Sequence, residues 1–168
     1  MFRSRGTAHT AIMLVIILIS ALAIVAEPIA PGQKAYAALS TSQPWGGDRN
    51  SGWAYLWLIA QLIHAEATNE PYAGKVAVGA VVLNRVASPK FPNTVPGVIY
   101  EPYAFTPVYD GRINLPPDSE SIRAAQDALS GWDPSYGALY FYNPAKSTSW
   151  WVFTRTITTR IGNHIFAR

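Results

Sequence analysis

Pro71 stands between two apolar runs with helical spacing, and it fixes how the centre of this chain must fold. The residue before a proline is pushed out of the α region, so a helix arriving from the N-terminal side has to stop there. The arriving run, Trp57-Leu-Ile-Ala-Gln-Leu-Ile-His-Ala65, is long enough for two turns, with Leu58, Leu62 and Ala65 recurring at helical spacing. Proline suits the opening of a new helix, which predicts a second one from Tyr72 to Val86. That segment is rich in Ala and Val, with Val78, Val81 and Val82 expected on its core face. Gly79 costs helix propensity, so close packing against another helix is the expected reason for it.

The break carries two carboxylates. Glu66 falls in the last turn of the first helix, where the negative end of the dipole disfavours ionisation. Glu70 falls ahead of the second helix, whose positive end favours it. Environments that push two carboxyl pKa values apart are the pattern of an acid/base assignment. Cleaving a sugar–sugar bond needs a carboxyl group still protonated near neutral pH, and Glu66 is the expected general acid. The plainer alternative is a solvated charge at Glu66 and an ordinary capping acid at Glu70.

Further along, Pro116-Pro117, an N-cap at Asp118 or Ser119, Glu120 in the first turn and a C-cap at Gly131 delimit a third helix. Ile122, Ala125 and Leu129 make its expected buried stripe. The Pro-rich stretch 88–117 reads as irregular and suited to one wall of a cleft. Strand patterns follow at Ala138–Tyr142 and Trp151–Ile157, with 143–150 as a hairpin loop between them. Helices first and a small antiparallel sheet last make an α+β domain.

The N-terminal segment reads as an address. Arg3 and Arg5 precede an apolar run from Ala11 to Ala26, and Ala35-Tyr36-Ala37 offers small residues for signal peptidase. The run is shorter than the ~20 residues a spanning helix needs. A signal peptide over residues 1–37 and an uncleaved membrane anchor both fit. Residues 38–52 read as linker, leaving 53–168 as one domain, with no room seen for a separate wall-binding module. Without residues 1–37, the 13 basic and 10 acidic residues become 10 and 9, and the net charge falls from +3 to +1. Near neutrality and without a Lys/Arg run, the domain is not expected to bind nucleic acid. No cysteine is present, which removes disulfides, thiol nucleophiles and zinc thiolate sites. His64 and Glu66 lack the spacing of a zinc protease, and no phosphate loop or nucleophile elbow occurs, so neither metal nor cofactor is expected. His164 is expected to be a satisfied structural histidine.

Larger blocks narrow the function. Glu66-Ala-Thr-Asn-Glu-Pro-Tyr-Ala-Gly-Lys-Val-Ala-Val-Gly-Ala-Val-Val-Leu-Asn-Arg85 resembles the signature of the spore-cortex-lytic cell-wall hydrolases of the SleB/CwlJ type. The resemblance continues through Phe91–Tyr100, Ala104-Phe105-Thr106, Ala124–Pro134, Ala138–Pro144 and Arg160–Phe166, in order over residues 53–168. It implies a compact, lysozyme-like domain acting on peptidoglycan, with Glu66 as the catalytic acid and Glu70 tuning and positioning. Phe105, Thr106, Tyr140, Tyr142 and Asn143 are the expected substrate-binding residues. Aromatic faces can lie on sugar rings, and short polar groups can hold an N-acetyl group or a reacting hydroxyl. Period-2 alternation puts Tyr140 and Tyr142 on one side of their strand and Phe141 on the other, and which side meets glycan stays open.

The resemblance thus implies an exported enzyme of cell wall or spore cortex that cuts glycan strands between N-acetylmuramic acid and N-acetylglucosamine during germination. It favours a lytic transglycosylase, with a muramidase-type hydrolase and an inactive wall-binding accessory protein as alternatives. Membrane contact is expected only through an uncleaved leader, and an accessory partner is open.

Overall fold

The computed structural model describes residues 49–168; the expected leader and most of the expected linker lie outside them. Helix α1 (Arg49–Ala67) begins four residues inside that linker and ends one residue past Glu66. Pro71 then sits as the N-cap of α2 (Tyr72–Ala87), so the proline break falls where its sterics require. The stretch 88–117 is more ordered than expected. It holds α3 (Val95–Ile99), α4 (Thr106–Asp110) and a short 3₁₀ turn (Arg112–Asn114). Helix α5 (Ser119–Leu129) takes Asp118 as its N-cap, whose side chain accepts from the Ser121 amide, and Gly131 follows its end with φ +100°.

Helix α2 is buried on every side from Gly74 to Val86, not along one face. It runs through the middle of the domain, against α1, α5, α3 and β1. Valines therefore fit all round it, and periodicity had little to report. A Cβ on Gly79 would lie 3.1 Å from both Ala128 Cβ and Ile63 Cδ1, so three helix backbones converge there. Buried Lys75 crosses from α2 to pair with Glu120 of α5. On α5, Ala125 and Leu129 are buried as expected, with Ala124 and Ala128 beside them; Ile122 is half-buried.

The sheet departs from the sequence reading. Strand β1 (Tyr140–Tyr142) holds the expected position, but Trp150–Thr154 forms a 3₁₀ turn instead of a strand. The remaining strands are β2 (Ile157–Ile161) and β3 (His164–Ala167), in the order β1-β3-β2, all antiparallel. Residues 143–150 thus do not close a hairpin, because β3 occupies the place beside β1. The aromatic alternation at 151–153 covers β1 instead. Trp151 meets Tyr140 edge-on at 5.0 Å, Phe153 meets Tyr142 at 5.2 Å, and Val152 joins Tyr142 and Ile165 in a small second core. The true hairpin turns at Gly162-Asn163, where Gly162 has φ +57°, a value that glycine adopts without strain.

Three connections fix the sheet against the helices. Phe141 and Phe166 pack across the β1–β3 pair at 6.0 Å and face the helical core. Asn84 of α2 donates to Asp133 Oδ2 (3.0 Å) and to the Ala138 carbonyl (3.1 Å), tying down the loop that leads into β1. Arg85 Nε donates to the Leu139 carbonyl at 2.7 Å.

Candidate active site

Between the helical break and the sheet lies a cleft of about 890 Å³. One wall is the end of α1 with Glu66, Asn69 and Glu70; another is Phe105, Thr106 and Arg112; the third is Phe141, Tyr142, Asn143, Asn163 and His164. The proline break is what opens it, because α1 stops while its last turn still faces the sheet.

Glu66 is half-buried on this wall, and its carboxyl is raised above the ordinary glutamate range. Burial is the largest cause; Arg112 pulls the other way and Asp110 pushes upward again. The direction is the one expected from sequence, but desolvation, not the helix dipole, leads. Arg112 donates to the Ala65 carbonyl at 2.8 Å, a cation on the exposed end of α1, and is itself ion-paired to Asp110 at 2.8 Å. That pairing spends much of its charge on Asp110 and leaves Glu66 without an ion-pair partner among the described residues.

Glu70 is arranged differently. It does not cap α2; its two oxygens accept from the Asn163 amide (2.8 Å) and the Asn163 side chain (3.1 Å). The carboxylate thus clamps the β2–β3 turn to the helical break. A Cβ on Gly162 would run into Glu70 Oε2 and lie 2.6 Å from Pro71 Cδ, so the clamp needs glycine there. Glu70→Gln should retain activity within about tenfold of wild type. The amide still accepts one hydrogen bond and loses the other, a change of about 1 kcal/mol. Initial rates on purified wall sacculi check this.

The remaining expected residues divide. Thr106 is exposed and lines the cleft, and Asn143 lines it with its Oδ1 already accepting from the Ala145 amide at 2.9 Å. Phe105 is buried at 3% exposure with its face under the Arg85 guanidinium, so it backs the wall and offers little face to a sugar. Tyr142 borders the cleft but is buried in the second core. Tyr140 lies outside the main cleft, in an adjoining groove of about 470 Å³ with Tyr103, Glu101 and Trp151.

His164 corrects the sequence reading. It is buried between Phe141 (5.2 Å) and Phe166 (6.2 Å) and lines the cleft, yet its Nδ1 has no hydrogen-bond partner among the described residues. Burial lowers its pKa foremost, Glu70 opposes this, and Lys146 adds to it. Sequence reasoning also missed Arg112 and Asn163. The Gly162-Asn163 dipeptide between two β-rich runs was the available signal for a hairpin turn at this place. His64 points to Asp118 Oδ2 at 3.2 Å and, with no third ligand nearby, belongs to no metal-binding group among the described residues.

The family model for cell wall hydrolases matches residues 69–167. The chain belongs to that family. Glu66 lies just ahead of the matched stretch. A spore cortex-lytic enzyme of Bacillus cereus is 48% identical over 128 residues, 76% of this chain and 48% of the relative. One from Bacillus subtilis is 48% identical over 129 residues, 77% of this chain and 41% of the relative. The chain therefore spans less than half the length of these curated relatives. Among solved structures, the catalytic domain of the Bacillus cereus SleB protein superposes with a TM-score of 0.66 at 49% identity, covering 74% of this chain and 94% of that one. The catalytic domain of the germination-specific lytic transglycosylase SleB from Bacillus anthracis gives 0.67 at 48% identity, covering 74% and 99%. The α+β architecture of helices followed by a three-stranded antiparallel sheet is thus that of the SleB catalytic domain.

Proposed function

We propose that this chain is an exported lytic enzyme that cleaves peptidoglycan glycan strands between N-acetylmuramic acid and N-acetylglucosamine, by transglycosylation, in spore cortex or cell wall. The observation that carries the reading is Glu66: a half-buried carboxyl held toward its protonated form by desolvation on the wall of an open cleft, with no ion pair among the described residues to keep it charged.

Glu66 gives its proton to the bridging oxygen as the bond from that oxygen to the muramyl anomeric carbon breaks. The carboxylate left behind takes the proton of the muramyl 6-hydroxyl, whose oxygen bonds to the anomeric carbon and closes an anhydro ring. The proton returns to Glu66 and no water is consumed. A hydrolase of the two-carboxylate kind needs a second free carboxylate, and Glu70 has both oxygens committed to Asn163. That favours the transglycosylase. The relatives' names, spore cortex-lytic enzyme and germination-specific lytic transglycosylase, point the same way. The basic and apolar leader supports export, with the membrane touched only where that leader is retained.

Mass spectrometry of fragments released from purified cortex and vegetative sacculi tests this. The expected ends are anhydro-muramic acid, one water lighter than reducing ends, and EDTA should leave the rate unchanged. Reducing ends would replace the transglycosylase by a muramidase. Loss of activity restored by zinc, with stem peptides released, would replace it by an amidase.

A further inference from the structure

The mechanism makes no use of His164, although the side chain is built into the cleft wall. It is only 7% exposed, and its Nδ1 is sealed from solvent with no hydrogen-bond partner among the described residues. Nε2 makes no bond to the described residues either, but it is not sealed in this way. Because His164 lines the cleft, Nε2 is the edge that the imidazole turns toward it. Burial holds the ring toward its neutral form, with Lys146 adding to this and Glu70 opposing it. A neutral imidazole has one N–H and one bare nitrogen. An N–H sealed without an acceptor forfeits a hydrogen bond, so the proton belongs on Nε2, where the cleft can supply the partner.

We propose that His164 and Phe141 form the seat for the acetamido group of a sugar ring in the cleft, His164 Nε2–H donating to its carbonyl oxygen and the Phe141 ring taking its methyl group. The proposal deepens the glycan-cleaving reading above and rests on it. In an acetamido group the carbonyl oxygen and the methyl share one carbon, so a receptor needs a donor and an apolar surface side by side. The two rings supply them, with centroids 5.2 Å apart and planes tilted by 53°. Phe141 is half-buried; one part of it packs on the helical core and another borders the cleft. A sugar hydroxyl in that seat would set a polar group against the ring, and a carboxylate would call for a cation. The seat is also held in place. His164 begins β3, the central strand, and follows directly on Asn163, which Glu70 clamps to the helical break. It lies on the wall across the cleft from Glu66, so an acetamido group seated there fixes which face of the sugar meets the acid. Both sugars of the strand carry the group, so the seat recognises an acetamido glycan without choosing between them.

The test measures binding, in a Glu66→Gln background that does not turn substrate over. Calorimetry compares chitotetraose, in which every ring carries an acetamido group, with cellotetraose, which has a hydroxyl in its place and the same zero charge. Chitotetraose should bind at least about tenfold more tightly. Adding His164→Phe keeps a ring of similar size and removes the donor; it should weaken chitotetraose about tenfold and leave cellotetraose within about twofold, a neutral hydrogen bond lost. An unchanged preference in the folded variant, an equal loss for both sugars, or no preference in the background would each overturn the seat. Where His164→Phe does not fold by circular dichroism, magnetic resonance of the background with isotope-labelled histidine decides. The proton on His164 Nε2 should shift with chitotetraose and stay in place with cellotetraose, and a proton found on Nδ1 would overturn the proposal. A background that binds neither sugar, nor the glycan fragments released from sacculi, would overturn the glycan reading and the seat with it.

Discussion

Glu66→Gln is expected to lower turnover by about two to four orders of magnitude, because glutamine keeps the size and hydrogen-bonding capacity of the acid but has no proton to give. Steady-state release of fragments from sacculi is the measurement. Substantial activity in the variant would remove Glu66 from the mechanism. The same substitution should act on stability in the opposite direction. Burial raises the folded-state pKa of Glu66, so the folded protein binds a proton more readily than the unfolded chain. Its favourable contribution is complete below the unfolded value, about pH 4.3, and is lost as pH rises through the raised folded value. At neutral pH the wild type therefore carries a cost that glutamine does not. Thermal melts should show Glu66→Gln equal to or above wild type at pH 7, with any advantage shrinking toward pH 4. A clear destabilisation at pH 7 would mean that the carboxylate is structurally paired. The rate of the wild type should fall on the alkaline side as Glu66 loses its proton, at a higher pH than an ordinary glutamate allows.

How far the sequence carried this reading depended on the kind of signal. Backbone sterics were legible: Pro71 placed the break between α1 and α2, and Asp118 and Gly131 bounded α5 within a residue or two. Those residues act locally, and nothing distant overrides them. The side-chain patterns were less reliable. An alternating aromatic run reads as a strand, yet Trp151, Val152 and Phe153 form a 3₁₀ turn that covers β1, since the sheet's own pairing is satisfied by β3. Glu66 was found because its chemistry and its block of neighbours coincide in sequence. The groups that act on it come from elsewhere in the chain, Asp110 at the end of α4 and Arg112 in the turn after it, while Asn163 and His164 of the last hairpin line the opposite wall of the same cleft. Phe105 looked like a sugar platform because exposure is invisible in sequence; its face belongs to Arg85.

Phe166→Ala should cost about 3–5 kcal/mol of folding stability, the range for removing a fully buried phenylalanine from a core that closes only partly. The side chain has no exposed surface and lies on β3, the central strand, opposite Phe141 and against the helical core. It is the largest wholly buried side chain among the described residues and joins sheet to helices. Small domains have about 5–15 kcal/mol in total, so the loss is a large share. Urea unfolding should show a much lower midpoint with an unchanged slope. Trp150→Ala, at a residue 76% exposed, should stay within about 0.5 kcal/mol and serves as the control. The loss should also reach the cleft. β3 begins at His164, next to the turn that Glu70 clamps, so a cavity under Phe166 loosens the wall facing Glu66. Activity per folded molecule should therefore fall in Phe166→Ala but not in Trp150→Ala. Full specific activity at a temperature where Phe166→Ala remains folded would show that the core holds the domain together without setting the geometry of the cleft.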